Sequence, residues 1–325
     1  MIRQVIDALD LLDDPCVSGE TVVAAVRAAG PVEAGSVTIH GDRGSTDFVR
    51  FQFRGERGRS SGGGAPTLGI IGRLGGIGAQ PDVIGLVSDG DGAVTAVACA
   101  LKLAAMAAAG DVLPGDVIIT THICPNAPTE PHEPVPFMGS PVDMRTMNTH
   151  EVEPAMDAIL TVDTTRGNRI INQRGFAISP TVKEGYILRT SDDLLTIMQI
   201  VTGRAPAVLA VTTQDITPYG NGVYHLNSIL QPATATDAPV VGVALTAETA
   251  VPGSASGASQ FADIEAAGRF CLEVAKAFGA GKCKFHDADE FRRLQGLYGS
   301  MKQLQTLGRP VSDAAPMGRA TVPSK

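Results

Sequence analysis

The strongest constraint on the fold is a series of short apolar runs that do not alternate. Residues 67–71 (TLGII), 83–87 (VIGLV), 117–121 (VIITT), 158–162 (AILTV), 208–211 (VLAV) and 240–245 (VVGVAL) are apolar, or carry only threonine, on both sides of an extended chain. A strand with one face in water alternates polar and apolar residues, whereas a strand buried on both faces reads as a continuous apolar run. Helical patterns separate the runs: Ala-rich 94–109, 192–201 behind Ser191, 264–278 and 290–304. The order predicts an α/β fold with a central, mostly parallel mixed sheet flanked by helices in three layers. Ahead of it, 2–12 and 20–29 read as helices, the second capped by Ser18, and 36–40 and 48–53 as strands. One domain is expected over 1–304, with a β-rich insertion at 164–235 and a flexible tail at 305–325.

Composition narrows the class. The net charge of −8 removes the electrostatic basis for nucleic-acid binding. No apolar run reaches the roughly 18 residues of a membrane span, and acids interrupt the apolar N-terminal stretch MIRQVIDALDLLDD, unlike a signal peptide. Five scattered cysteines suit a reducing compartment. The expectation is a cytoplasmic homo-oligomer that handles a small-molecule or peptide-like ligand, with neither nucleic acid nor membrane as partner.

Ligands of open α/β sheets bind outside the carboxyl ends of the strands. Here those ends supply Arg73, Asp89, Asp91, Asp163, Asp215 and Glu248. The run 120–138 (TTHICPNAPTEPHEPVPFM) adds His122, Cys124, Glu130, His132 and Glu133 among five prolines. Proline removes a backbone donor, so this stretch is expected to be a polar loop rather than helix or central strand. Asp89, His132, Glu133, Asp163 and His225 are the residue types that could ligate a metal, although no short metal signature is present. Asp89 and Asp91 also suit a turn that caps the following helix, and Asp163 also suits a hydrogen bond to loop amides. Cys124 could be a nucleophile with His122 as base, or simply a loop thiol. His225 lies in the Gly-, Asn- and Tyr-rich stretch 219–230 and could reach a pocket.

The segments TLGIIGRLGGIGAQPDVIGLVSDGDGAV, GDVLPGDVIITTHICPNAPTEPHEPVPFM, NQRGFAISPTVKEGYILR and QDITPYGNGVYHLNSILQPATATDAPVVGVAL resemble the bacterial family DUF1177, over about residues 1–304. More distantly, the order of elements resembles the co-catalytic zinc aminopeptidases and their deacylase relatives. Asp89-Gly90-Asp91-Gly92 before an Ala-rich helix is similar to their Asp-rich turn, the loop after 117–121 to their Glu-bearing segment, and Asp163 to a later carboxylate ligand. That resemblance implies a zinc-peptidase-like fold and a hydrolase of an amide or peptide-like small molecule, with a divalent metal, zinc or manganese, at a rearranged site. Asp89, His132 and Asp163 would be metal ligands and Glu133 the catalytic base. Arg73, Asp91, His122, Cys124, Glu130, Asp215 and His225 would contact substrate. The chain departs from the pattern in three places, one of them the family's adjacent Glu pair, which is split here because Pro131-His132 separates Glu130 from Glu133. Gly72-Arg73-Leu74-Gly75 lacks the family's His and Asp, and Ser254-Ala255-Ser256 stands where a late His belongs. These departures keep open an alternative, a non-catalytic binding or regulatory protein on a degenerate peptidase-like scaffold.

Overall fold

The computed structural model describes residues 1–73, 79–80, 86–131, 137–166, 170–211 and 228–306, with backbone alone at 79–80, 129–130 and 137. Helices α1 (Ile2–Leu12) and α2 (Gly19–Ala29) precede the strands β1 (Glu33–Gly41) and β2 (Gly44–Phe53). Next come β3 (Leu68–Gly72), β4 (Ala79–Gln80), α3 (Asp91–Ala108) and β5 (Val117–Ile123). The short strands β6 (Ala127–Glu130) and β7 (Phe137–Met138) lead to α4 (Met144–Glu151) and β8 (Ala158–Thr164). Then follow β9 (Gly175–Ile178), β10 (Val182–Lys183), β11 (Tyr186–Ile187) and α5 (Asp192–Thr202). β12 (Val240–Thr246), α6 (Phe261–Gly279) and α7 (Ala288–Tyr298) complete the elements.

The main sheet runs β1-β2-β5-β3-β8-β12-β10-β11, with β9 also on β12. Its four inner strands, β5, β3, β8 and β12, are mutually parallel. The flanking pairs are antiparallel, so the parallel part is the centre and hairpins extend it on both sides. β4, β6 and β7 form a small second sheet.

Successive side chains of the inner strands go to opposite faces, as the pleat requires. Leu68, Ile70, Val117, Ile119, Leu160, Val162, Val241 and Val243 join one core with α1, α2, α3 and α6. Ile71, Ile118, Ile159, Val240 and Ala244 join the other, beneath the 3-10 segment 228–234. That partition explains the runs without alternation: each face has its own helical cover, which gives the expected three layers.

Sequence caps hold where they were expected. Ser18 accepts from Thr21 N–H at 3.2 Å and Ser191 from Leu194 N–H at 3.3 Å. Three expectations change. The chain stays in β5 through Ile123, so Thr120 to Ile123 are central strand, because the prolines begin only at Pro125. Residues 208–211 form no strand; Val208 makes a single bridge to Ile178. The stretch Ser88–Ala108 is long and apolar enough to cross a membrane, but 78% of its apolar window is buried inside this fold, as the core helix α3 and the turn before it.

The start of α3 rests directly on the carboxyl ends of β3 and β8. A Cβ on Gly92 would lie 1.8 Å from the Arg73 carbonyl oxygen and 2.5 Å from that of Val162. Backbone cannot yield as a side chain does. Gly92→Ala is therefore expected to destabilise the protein by about 3 kcal/mol or more, at or beyond the upper end of ordinary overpacking, measured by urea unfolding.

Candidate functional site

The four parallel strands end at one edge, where Arg73, Asp89, Asp91, Asp163 and Arg166 are buried while Glu248, past β12, is exposed. Asp89 sits in the 3-10 turn Ser88–Gly90 that opens α3. The turn is held by the loop before α6: Ser88 N–H donates to Ala255 O at 3.1 Å, Asp89 N–H to Gly253 O at 3.0 Å, and Ser88 Oγ to Pro252 O at 2.9 Å. Asp163, near the end of β8, shares this edge. Asp89 accepts from Met138 N–H at 2.8 Å and Asp163 from Thr164 N–H at 2.7 Å. One backbone donor apiece is thin cover for carboxylates only 8% and 7% exposed. Burial pushes the Asp89 carboxyl up to about 6, against the Met138 hydrogen bond. Burial pushes Asp163 up to about 7, and the neighbouring Asp89 charge adds to the rise. The pair therefore titrates in the neutral range, where a carboxyl can exchange protons with substrate. Gly253 has no room for a side chain, since a Cβ there would fall 1.9 Å from Asp89 Oδ2.

Two guanidiniums lie in the same buried layer. Arg73, at the end of β3, meets Glu151 through Nε at 2.8 Å and donates through Nη2 to Asn148 Oδ1 at 2.6 Å. Both partners come from α4. The other Glu151 oxygen faces His122 Nδ1 at 2.7 Å. Asn148 is fixed in turn by donating to Thr234 Oγ1 at 3.2 Å and Gln231 O at 3.3 Å. Arg166, two residues past β8, pairs with Asp91, whose other oxygen accepts from Ser259.

These placements separate the expected site residues. Asp89 and Asp163 come together. Arg73 is 1% exposed with its cation turned to Glu151, Asn148 and Met144, so it does not present a free guanidinium to a substrate carboxylate. Asp91 is fully buried against Arg166 and Ser259, which makes it an internal counter-charge; it does not cap α3. His122 lies in β5 rather than in a loop, buried against Glu151 and the Phe48 ring. Cys124 is buried with Val87, Ala127 and Met138, and its thiol is directed at the Ser45 carbonyl at 3.7 Å. Burial pushes it up to about 11, which disfavours the thiolate that a nucleophile needs. His132, Glu133, Asp215 and His225 lie outside the described residues, as does the side chain of Glu130. Among the described residues, no group of three or more His, Cys, Asp or Glu side chains is arranged to hold a metal.

Glu151, Asn148 and Arg166 were missed by the sequence reading. The first two ride on α4, eight residues of MRTMNTHE with no apolar stripe to reveal it. The available signal was Asp143, whose side chain caps α4 by accepting from Thr146 N–H at 2.7 Å.

The family described as "Protein of unknown function (DUF1177)" matches residues 37–308. No curated protein matches. Among solved structures, the chain is similar to the leucine aminopeptidase of Caenorhabditis elegans, with a TM-score of 0.50 and 12% identity. The similarity covers 85% of this chain and 65% of that one, so the chain spans less than two thirds of its neighbour's length. At that identity the likeness concerns the fold, which is peptidase-like.

Two outcomes follow from the buried charges. Glu151→Ala would strand Arg73 and His122 without their shared carboxylate, at a cost of about 3–5 kcal/mol, measured as a lowered urea midpoint. For Asp89 and Asp163 the folded pKa lies above the unfolded one. Their contribution to stability is complete below about pH 4 and is lost as pH rises through about 6 and 7. Asp163→Asn should therefore be more stable than wild type at pH 8, by on the order of 1–4 kcal/mol at about 1.4 kcal/mol per pKa unit, with the gain shrinking towards pH 4. Equal stability of the two proteins at pH 8 would contradict this.

Proposed function

The chain belongs to the DUF1177 family, and from that premise we propose that it is a hydrolase of an amide or peptide-like small molecule, working at the carboxyl edge of the sheet. The observation that carries this reading is the pair Asp89 and Asp163, buried together with raised pKa values and one backbone hydrogen bond each. At neutral pH such a pair holds a carboxylate that can take a proton from water and a carboxylic acid that can give one to the leaving amine. The peptidase-like fold supports the placement of chemistry at this edge. The Met138 and Thr164 amides would orient the two carboxyls, and Gly253 would keep space beside Asp89.

The donor chemistry also fits part of a metal site. Two carboxylates suit a divalent cation, manganese or, with a His added, zinc. Asp89 and Asp163 would hold it from two sides, with His132 as a further candidate ligand and Glu133 as a candidate base. When bound, such an ion supplies Lewis-acid polarisation of a carbonyl and a more acidic water. A second reading, a binding protein that has lost catalysis, is favoured by one observation: Arg73 fills the edge with a permanent cation held against Glu151 and Asn148.

A panel of N-acyl amino acids and short peptides, assayed with and without added manganese or zinc, tests the proposal. Hydrolysis that falls at least a hundredfold in both Asp89→Asn and Asp163→Asn (about 2.7 kcal/mol), with folding retained, is the expected result. Elemental analysis of the same preparations reads the metal directly. Ligand binding without turnover under every metal condition would favour the second reading.

A further inference from the structure

Arg166 is 2% exposed, yet only one end of its guanidinium is used. Nη1 is paired with Asp91 and donates to the Ala258 carbonyl at 3.3 Å. Nε and Nη2 are both buried without a hydrogen-bond partner. Those two nitrogens form one edge of the planar group, with parallel N–H bonds at the spacing of a carboxylate's two oxygens. Buried donors of a charged group are seldom left unmade unless a ligand or ion completes them. The group is also braced. Asp91 is fixed on the first turn of α3 and accepts from Ser259, and the Arg166 carbonyl accepts from Val251 N–H at 3.1 Å. Its charge is felt at Asp89, where it opposes the upward shift.

We propose that the free Nε–Nη2 edge of Arg166 anchors the carboxylate of the ligand, so that the substrate class is a peptide-like acid, such as an N-acyl amino acid or short peptide with a free carboxyl group. This rests on the proposed function for the reacting end of the molecule. It assigns the other end to a residue outside the carboxylate pair. Arg73 cannot serve in its place, because its Nε and Nη2 are turned to Glu151 and Asn148. A carboxylate on Arg166 would make two parallel charge-assisted hydrogen bonds. A carboxamide offers one acceptor and sets an N–H donor against another donor, so the acid is distinguished from its amide.

The test uses the full chain and two probes, N-acetylglycylglycine and its C-terminal carboxamide. Binding is followed through the Arg166 Nε–Hε resonance, assigned by its own side-chain correlations. The acid is expected to bind at least about tenfold more tightly than the amide (1.4 kcal/mol) and to move the Arg166 resonance downfield. In Arg166→Lys, which keeps the charge but loses the fork, the preference should disappear. Equal affinity for acid and amide would overturn the proposal. So would binding of the acid with the Arg166 resonance unmoved, absence of acid binding up to tens of millimolar, or an undiminished preference in Arg166→Lys. If that variant does not fold, the titration of the native protein alone decides. Turnover of both probes, measured in parallel, separates this proposal from the hydrolase reading. Selective binding of the acid without hydrolysis upholds Arg166 and removes the hydrolase. Equal hydrolysis of both probes does the reverse.

Discussion

The carboxyl edge of the sheet depends on a backbone contact, the seating of Gly92 on the carbonyls of Arg73 and Val162. It brings the first turn of α3 as close to the ends of β3 and β8 as two backbones can come. Three other arrangements follow from it. The turn that carries Asp89 is pressed towards the end of β8, where Asp163 follows Val162. Asp91 is driven into the interior, where only a guanidinium and a hydroxyl can satisfy it. The loop before α6 must close over the same turn, and it does so through Gly253, which leaves the Asp89 carboxylate uncovered by any side chain at that position.

The charges collected at this edge do not balance. Arg73 and Arg166 face Asp89, Asp91, Glu151 and Asp163, an excess of two negative charges if every carboxyl ionises. Like charges about 4 Å apart repel by about 4 kcal/mol at an effective dielectric constant near 20. Burial adds to that cost, so the excess has to be relieved. The two guanidiniums are matched to Asp91 and Glu151 by direct contact, which leaves the excess on Asp89 and Asp163. Their upward shifts express this, and protons or a divalent cation are the two ways to remove it. The same imbalance accounts for a candidate acid–base pair and for a candidate metal site, because both draw on one electrostatic debt.

The inner sheet was legible in the sequence because burial on both faces writes continuous apolar runs, as in 117–119 and 240–245. Convergence of Arg73, Asp89 and Asp163 followed from topology alone, since parallel strands place their carboxyl ends together. What each polar residue does there was not legible. Arg73, Asp91 and His122 have the residue types of ligand-binding groups, and their internal partners come from other elements, 29 to 78 positions away: Arg73 with Glu151, His122 with Glu151, Asp91 with Arg166. Nothing local announces such pairs. The density of prolines after Cys124 suggests an earlier end to the strand than β5 has, because Pro125 blocks the ladder only from its own position onward. Helix α4 went unseen because it buries Met147, Asn148 and Glu151, a mostly polar face that hydrophobic periodicity cannot detect.

Arg73 decides how far the likeness to an aminopeptidase can be carried. A bound metal ion offers open coordination positions, so it can hold water and polarise a carbonyl as well as balance charge. A guanidinium balances charge and donates hydrogen bonds. Here its Nε and Nη2 point to Glu151 and Asn148, and the group is sealed from solvent. It cannot stand in for a metal as a Lewis acid, and it cannot withdraw to admit one without leaving Glu151 unpaired in the core. The β3 end of the edge is thus committed to structure. Between the end of β8 and the turn before α3, two carboxyls keep unused acceptors and Arg166 keeps an unused edge.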